Sequence, residues 1–381
     1  MKHYHYIFAG AGLSGLMTVY RMAISGRFND ASILLLDTDT KKENDRTWCF
    51  WQRGITIWDD IILRHWNTAL FASQNFRTDL DFDGYEYNMI RGIDFYNFVL
   101  AELKKHSNIA FAHQKVTDFA DLGMHVLVKT DVESYTCNKL FNSIYNPALP
   151  ASQKKYPLLQ QHFIGWHVKT DTPAFNAHKP TFMDFSIVQK GNTRFMYVLP
   201  FSGTEAIVEY TLFSKDLLAI AEYEEAIKQY LTDKGITEYE IVDKERGSIP
   251  MTSYKFWEHN TKNILNIGSA GGWTKASTGY TFKNADKKSR EVVHFIQSQN
   301  DFTKFYKKNK FWGYDLLLLD ILARKNHKGS AIFAAMFKNG KAAPIFKFLD
   351  EETTLSEDLA VISKCPKGLF INALLRRMLN L

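Results

Sequence analysis

Gly10, Gly12 and Gly15 stand in G-x-G-x-x-G spacing within Gly10-Ala11-Gly12-Leu13-Ser14-Gly15. An apolar run at 4–9 precedes them, and Leu16, Val19, Tyr20 and Ala23 follow at helical spacing. Between a strand and a helix, the first glycine permits a tight turn and the second lets a pyrophosphate reach the backbone. The third packs helix on strand. The helix start then faces phosphate with unpaired N–H groups and partial positive charge. Asp37 closes the next buried run, 31–37, where a carboxylate accepts hydrogen bonds from an adenosine ribose. Far downstream, Gly268-Ser269-Ala270-Gly271-Gly272 follows another buried run. Flavoproteins with a single Rossmann domain use such a late turn for the pyrophosphate and ribityl chain; an NAD dehydrogenase has no need of it. Together the two turns favour FAD. Arg91 has two readings, a partner for a cofactor phosphate or ribityl oxygen and a structural surface arginine.

A sheet must hold these turns. Strand, glycine turn, helix and strand make one βαβ unit, which builds a parallel sheet covered on both faces. The stretch 38–92 reads as irregular, with Asp, Asn and Gly among Trp-rich pieces. Residues 94–106 predict an amphipathic helix capped by Asp94, with Phe95, Phe98, Val99 and Leu103 inward. Short alternating runs over 109–145 predict a meander and a return strand. Runs over 162–213, with turns at 190–192 and 202–204, predict an antiparallel sheet. Residues 215–234 and most of 283–381 read as helix. The fold expected is α/β: a Rossmann-type cofactor domain (1–65, 90–160 and 245–300), an inserted antiparallel substrate sheet (66–89 and 161–244) and a helical region (301–381).

Composition narrows the classes. The 381 residues are 45% hydrophobic and 23% charged, an ordinary globular balance. A net charge of +6 suits an anionic cofactor or membrane surface, and is too weak and dispersed to argue for nucleic acid. Aromatics reach 14%, which fits either a biased composition or a large apolar ligand site. Cys49, Cys137 and Cys365 lie far apart, so neither a disulfide framework nor a zinc site is expected, and a reducing cytoplasm fits. His3 and His5 have no third ligand nearby, so no metal is expected. Ser14 and Ser269 lack a nucleophile elbow. The start does not read as a signal peptide, and no run is long enough to span a bilayer. The segment 364–381 mixes apolar and basic residues at helical spacing, as a docking helix or a membrane-surface helix would.

Further motifs occur in a set order. They are Asp45-Arg46-Thr47-Trp48-Cys49-Phe50, Gln161-His162-Phe163-Ile164-Gly165-Trp166, Phe182-Met183-Asp184, Tyr197-Val198-Leu199-Pro200-Phe201, Gly247-Ser248-Ile249-Pro250-Met251 and the Gly268 turn leading to Ser277-Thr278-Gly279-Tyr280. With Phe346-Lys347-Phe348-Leu349-Asp350 they span nearly the whole chain, and the ordered set resembles the bacterial lycopene β-cyclase family. Asp45 stands where that family's N-x-T-W-x-F signature has Asn. Its acid motif, Leu-[Ile/Leu]-Glu-[Glu/Asp]-Thr, stands here as Ile207-Val208-Glu209-Tyr210-Thr211, so Glu209 takes the catalytic acid and Tyr210 replaces a second one. Asp184, a strand residue beside Phe182 and Phe185, is either a second acid or structural, and Arg46 joins the cofactor-binding candidates.

The chemistry the resemblance implies is isomerisation. A general acid protonates C2 of a linear ψ end group, leaving a tertiary cation at C1. The C5=C6 double bond attacks it, and proton loss from C6 leaves a β-ionone ring. In the family, flavin is needed reduced by NAD(P)H, its anionic form stabilising nearby positive charge in a dry pocket. Trp48, Phe50, Trp51, Trp166 and Trp273 are each a candidate tunnel aromatic or an ordinary core residue. The expected enzyme is thus a cytoplasmic, membrane-surface lycopene cyclase using FAD and NAD(P)H. A redox flavoenzyme acting on isoprenoids and a carotenoid-binding protein without turnover are the other readings.

Overall fold

In the computed structural model, which describes residues 1–338 and 341–379, the Lys2–Ala9 strand leads through the Leu13–Ile24 helix to the Ile33–Asp37 strand. Ile33, Leu34, Leu35 and Leu36 are all buried, the mark of a strand covered on both faces. Across the sheet the order is Ile109–His113, Ile33–Asp37, Lys2–Ala9, Ser134–Asn142, Val126–Thr130 and Val116–Asp121, with Ile264–Asn266 beside Ser134–Asn142. The first four run parallel and the last two complete an antiparallel meander. The Ile264–Asn266 strand therefore brings the second glycine turn to the same sheet edge as the first.

A second seven-stranded sheet has the order Glu240–Met251, Leu159–Lys169, Glu205–Ser214, Thr193–Pro200, Thr181–Asp184, Thr68–Ala72 and Arg77–Asp81. Its long central strands alternate strictly. Even-numbered Ile164, Trp166, Val208, Tyr210 and Leu212 pack on Tyr223, Ile227 and Tyr230 of the Ile220–Asp233 helix. The odd-numbered residues turn the other way, toward the glycine turns.

Three expectations change. The stretch 38–92 is not irregular: it contains Thr47–Gln52, Arg64–Trp66 and Glu86–Arg91, which form a small sheet, besides two strands of the large one. Their partners are distant or their runs short, so local periodicity carries little signal; Thr68–Ala72 pairs parallel with Thr181–Asp184. The boundary expected at 245 falls inside the Glu240–Met251 strand, which pairs along Leu159–Lys169 and thus lies in the antiparallel sheet. The helix expected at 94–106 is Gly92–Leu103, and Arg91 rather than Asp94 is its N-cap residue.

The helical C-terminal region holds Lys310–Lys325, Gly329–Phe337, Ala343–Leu349, Leu355–Ile362 and Lys367–Met378; residues 339, 340, 380 and 381 lie outside the described residues. The Lys367–Met378 helix docks through Ala373 and through Arg377, which holds Asp320 on the Lys310–Lys325 helix at 2.5 Å. Its outer stripe of Ile371, Leu374, Leu375 and Met378 is exposed. The docking expectation thus describes the inner side of this helix. No helix among the described residues is long and apolar enough to cross a membrane.

Candidate active site

The first glycine turn is fixed from behind. Gly10 sits at φ +93°, where a side chain would be strained and a Cβ would meet Ser143 Oγ. Ser143 donates from Oγ to the carbonyls of Ala9 and Gly10, at 2.9 and 3.1 Å. A Cβ on Gly15 would stand 2.6 Å from the Gly10 carbonyl oxygen, so helix and turn touch there. Gly12, by contrast, has nothing among the described residues within 4 Å of a Cβ position. The helix behind it has no side-chain cap and no acid in its first turn, which leaves its N–H donors free for an anion. A Cβ on Gly268, at φ +59°, would come 3.0 Å from Ser14 Oγ. The two turns, far apart in the chain, meet there.

One cavity of about 500 Å³ is lined by Gly12, Leu13, Ser14, Arg46 and Gly268 at one side and by Glu209 at the other. The remaining cofactor candidates shape the site without lining it. The Ala11 N–H donates to Asp37 Oδ2 at 2.7 Å, and Lys41 lies 3.4 Å from the same oxygen, so Asp37 braces the turn. Ala270, Gly271 and Gly272 form or end the short helical turn behind Gly268. Arg91 pairs with Asp94 at 2.7 Å and does not reach the cavity. Arg46 pairs with the adjacent Asp45 at 2.6 Å.

The cavity floor is the odd-numbered face of the antiparallel sheet. Register sets Tyr197, Glu209, Gly165 and Glu245 in one row across four strands. The next row is Phe195, Thr211, Phe163 and Gly247, where a Cβ on Gly247 would collide with the Phe163 ring at 2.4 Å. Glu209 is 8% exposed, its Oε1 accepts from the Thr211 hydroxyl, and burial with the charge of Glu245 pushes its pKa up to about 8. Glu245 accepts from Thr47 Oγ1 at 3.2 Å, and its surroundings raise it to about 7 through desolvation, against the pull of Thr47 and Arg46. Carboxyls so placed hold protons near neutrality, as a general acid must. Above them Tyr87 bonds the hydroxyls of Tyr197 and Tyr280, the latter at 3.1 Å.

Other expectations do not converge here. Asp184 faces the helical side, where it accepts from Ser186 and, at 3.0 Å, from the Tyr230 hydroxyl; it does not line the cavity. Its register partner Met196 lies in that same helical-side layer. Tyr210 also points away, its hydroxyl accepting from Arg194 at 2.6 Å, as strand neighbours of Glu209 must. Of the five aromatics expected in a tunnel, Trp48 lines the cavity. Trp166 lies on the helical face, Phe50 stacks on Phe282, Trp51 on Phe346, and Trp273 belongs to the core under the cofactor sheet. The walls are instead built by Phe163, Phe182, Phe195, Tyr197, Phe213 and Tyr280.

Glu245 was missed because it precedes the Gly247–Met251 motif and pairs with Glu209 only through a third strand; its odd parity with Gly247 was the available signal. Lys275 was missed too. Buried, it holds Asp315 at 3.0 Å and Glu351 at 2.9 Å and anchors the loop that carries Thr278, Gly279 and Tyr280.

The chain is similar to known proteins at two levels. A lycopene beta-cyclase from Paracoccus sp. (strain N81106 / MBIC 01143) is 31% identical over 135 residues, which cover 33% of this chain and only 33% of that relative's length. Two solved structures share the fold across 98% of this chain. One is a geranylgeranyl bacteriochlorophyll reductase-like protein from Thermoplasma acidophilum (TM-score 0.63, 10% identity, 98% of that chain). The other is a flavoprotein/dehydrogenase from Cytophaga hutchinsonii (TM-score 0.64, 11% identity, 99% of that chain). The model of the family described as lycopene cyclase protein matches residues 6–376, and the chain belongs to that family.

Proposed function

We propose that this chain is an FAD-dependent lycopene cyclase that turns linear ψ end groups into β-ionone rings by proton-initiated, non-redox cyclisation. The observation that carries the reading is Glu209: a carboxyl buried in the floor of an aromatic-walled cavity, where burial and the charge of Glu245 push its pKa up to about 8. In this reading it donates the proton to C2, while Tyr197, its neighbour in register, and Tyr280 present π faces to the cation.

The residues present fit FAD. Gly12 leaves the space a pyrophosphate needs, and the uncapped helix start offers it N–H donors. Gln161 Oε1 and Thr278 Oγ1 are buried without partners among the described residues, and both residues line the cavity. They supply unspent hydrogen-bonding groups for the polar edge of a flavin ring. Gly12, Leu13, Ser14 and Gly268 would hold the pyrophosphate and ribityl chain, with Asp37 toward the ribose. Gly10, Ala11, Gly15, Ala270, Gly271 and Gly272 would shape the turns, and Arg46 would add positive charge at the rim. When bound and reduced by NAD(P)H, FAD supplies a fixed negative charge beside the developing cation.

Lycopene resides in lipid, and the exposed Ile371, Leu374, Leu375 and Met378 stripe, flanked by exposed Lys367 and Arg376, suits the inner, anionic surface of a membrane. The test is reconstitution with FAD, NADPH and lycopene-loaded vesicles in deuterated water. β-Rings carrying deuterium at C2, formed without stoichiometric NADPH use, are expected. NADPH consumption matching product would instead make this a redox flavoenzyme.

A further inference from the structure

Glu209 and Glu245 occupy one row of the sheet with Gly165 between them. Two strand spacings put their α-carbons roughly 10 Å apart. Gly165 lets Glu245 lean inward: a Cβ at that position would stand 3.2 Å from Glu245 Cγ and 3.5 Å from its Oε1. Both carboxyls therefore face the same part of the cavity, over a bare backbone. Their surroundings differ. Thr47 donates to Glu245 from one side and the Arg46 cation favours its ionised form, whereas Glu209 is the more deeply buried and, among the described residues, no cation weighs on it.

Resting on the cyclase reading, we infer that Glu245 is a second catalytic carboxyl: the base that removes the C6 proton after Glu209 has delivered one to C2. The sum balances. The C1=C2 π pair takes the Glu209 proton to form the new C2–H bond. The C5=C6 pair forms C1–C6, leaving the cation at C5. The C6–H pair becomes the ring double bond as the Glu245 carboxylate takes the proton. No electrons leave the substrate. The pair begins as Glu209 acid and Glu245 carboxylate and ends reversed; passing the proton back from Glu245 to Glu209 resets it.

A base at C6 decides which ring forms, because a cation at C5 can lose a proton from any neighbouring carbon. The holoenzyme carrying Glu245→Gln, given lycopene vesicles in deuterated water, is expected to form β-rings at least ~100-fold more slowly. It should release rings with the double bond elsewhere and still place deuterium at C2. Glu245→Asp keeps a carboxylate on the strand and should return pure β-ring product at a reduced rate. FAD titration should be unchanged in both. Unaltered rate and product with Glu245→Gln overturns the inference, and so does equal loss in Gln and Asp variants. If the wild type forms no ring at all, it is the cyclase reading that fails.

Discussion

Replacing Glu209 by glutamine keeps the side chain's size and removes its proton, and the consequences reach beyond turnover. At the ordinary carboxyl value of 4.5, about 0.3% of molecules would hold the proton at pH 7, against about 90% when the group stands at about 8. Turnover should therefore fall at least ~100-fold in Glu209→Gln, and wild-type kcat/KM should decline above about pH 8. The same shift makes a stability statement of definite sign. The folded state holds a proton that the unfolded chain releases above 4.5, so wild-type stability falls as pH rises from 4.5 through 8. Glutamine has no such loss. Between pH 5 and pH 8 the stability difference should move in favour of Glu209→Gln by about 3 kcal/mol. Thermal melts of both proteins across that range, beside pigment chromatography, measure both effects. A difference independent of pH, with cyclisation intact, would refute a buried protonated acid at this position.

Four further outcomes follow from the geometry. Gly12→Val should fold normally, since its space is open, yet fail to quench or shift flavin fluorescence. Gly15→Val should destabilise the fold by about 1–3 kcal/mol through contact with the Gly10 carbonyl, as a melting curve would report. Asp184→Asn should leave cyclisation within about twofold, while lowering stability by roughly 1–3 kcal/mol as the Ser186 and Tyr230 donors lose their anion. Ile371→Glu with Leu375→Glu should abolish sedimentation with anionic vesicles without altering FAD titration; unchanged sedimentation would remove the Lys367–Met378 helix from the membrane contact.

The cofactor half was the more legible part of this chain. A glycine turn binds through its own backbone, and Gly10, Gly12 and Gly15 act within six consecutive residues on elements whose periodicity is local. Even there, Arg91 had two readings, and its pairing with Asp94, an acid one helical turn on, fits the structural one. The small strands between 47 and 91 escaped because their pairing energy comes from distant segments.

Sequence by itself determined the glycine spacing and the strand face that Glu209 shares with Ile207 and Thr211, because each depends on spacing of a few residues. Only the tertiary structure decided which carboxyl stands with it. Asp184 and Tyr210 lie near Glu209 in motif or in chain, yet both face the helical layer. Glu245 arrives from a strand two places away in the sheet, across a glycine that lets it lean inward. Strand order and register are set by burial of whole faces, not by local sequence, so the company a buried acid keeps is a property of the assembled sheet.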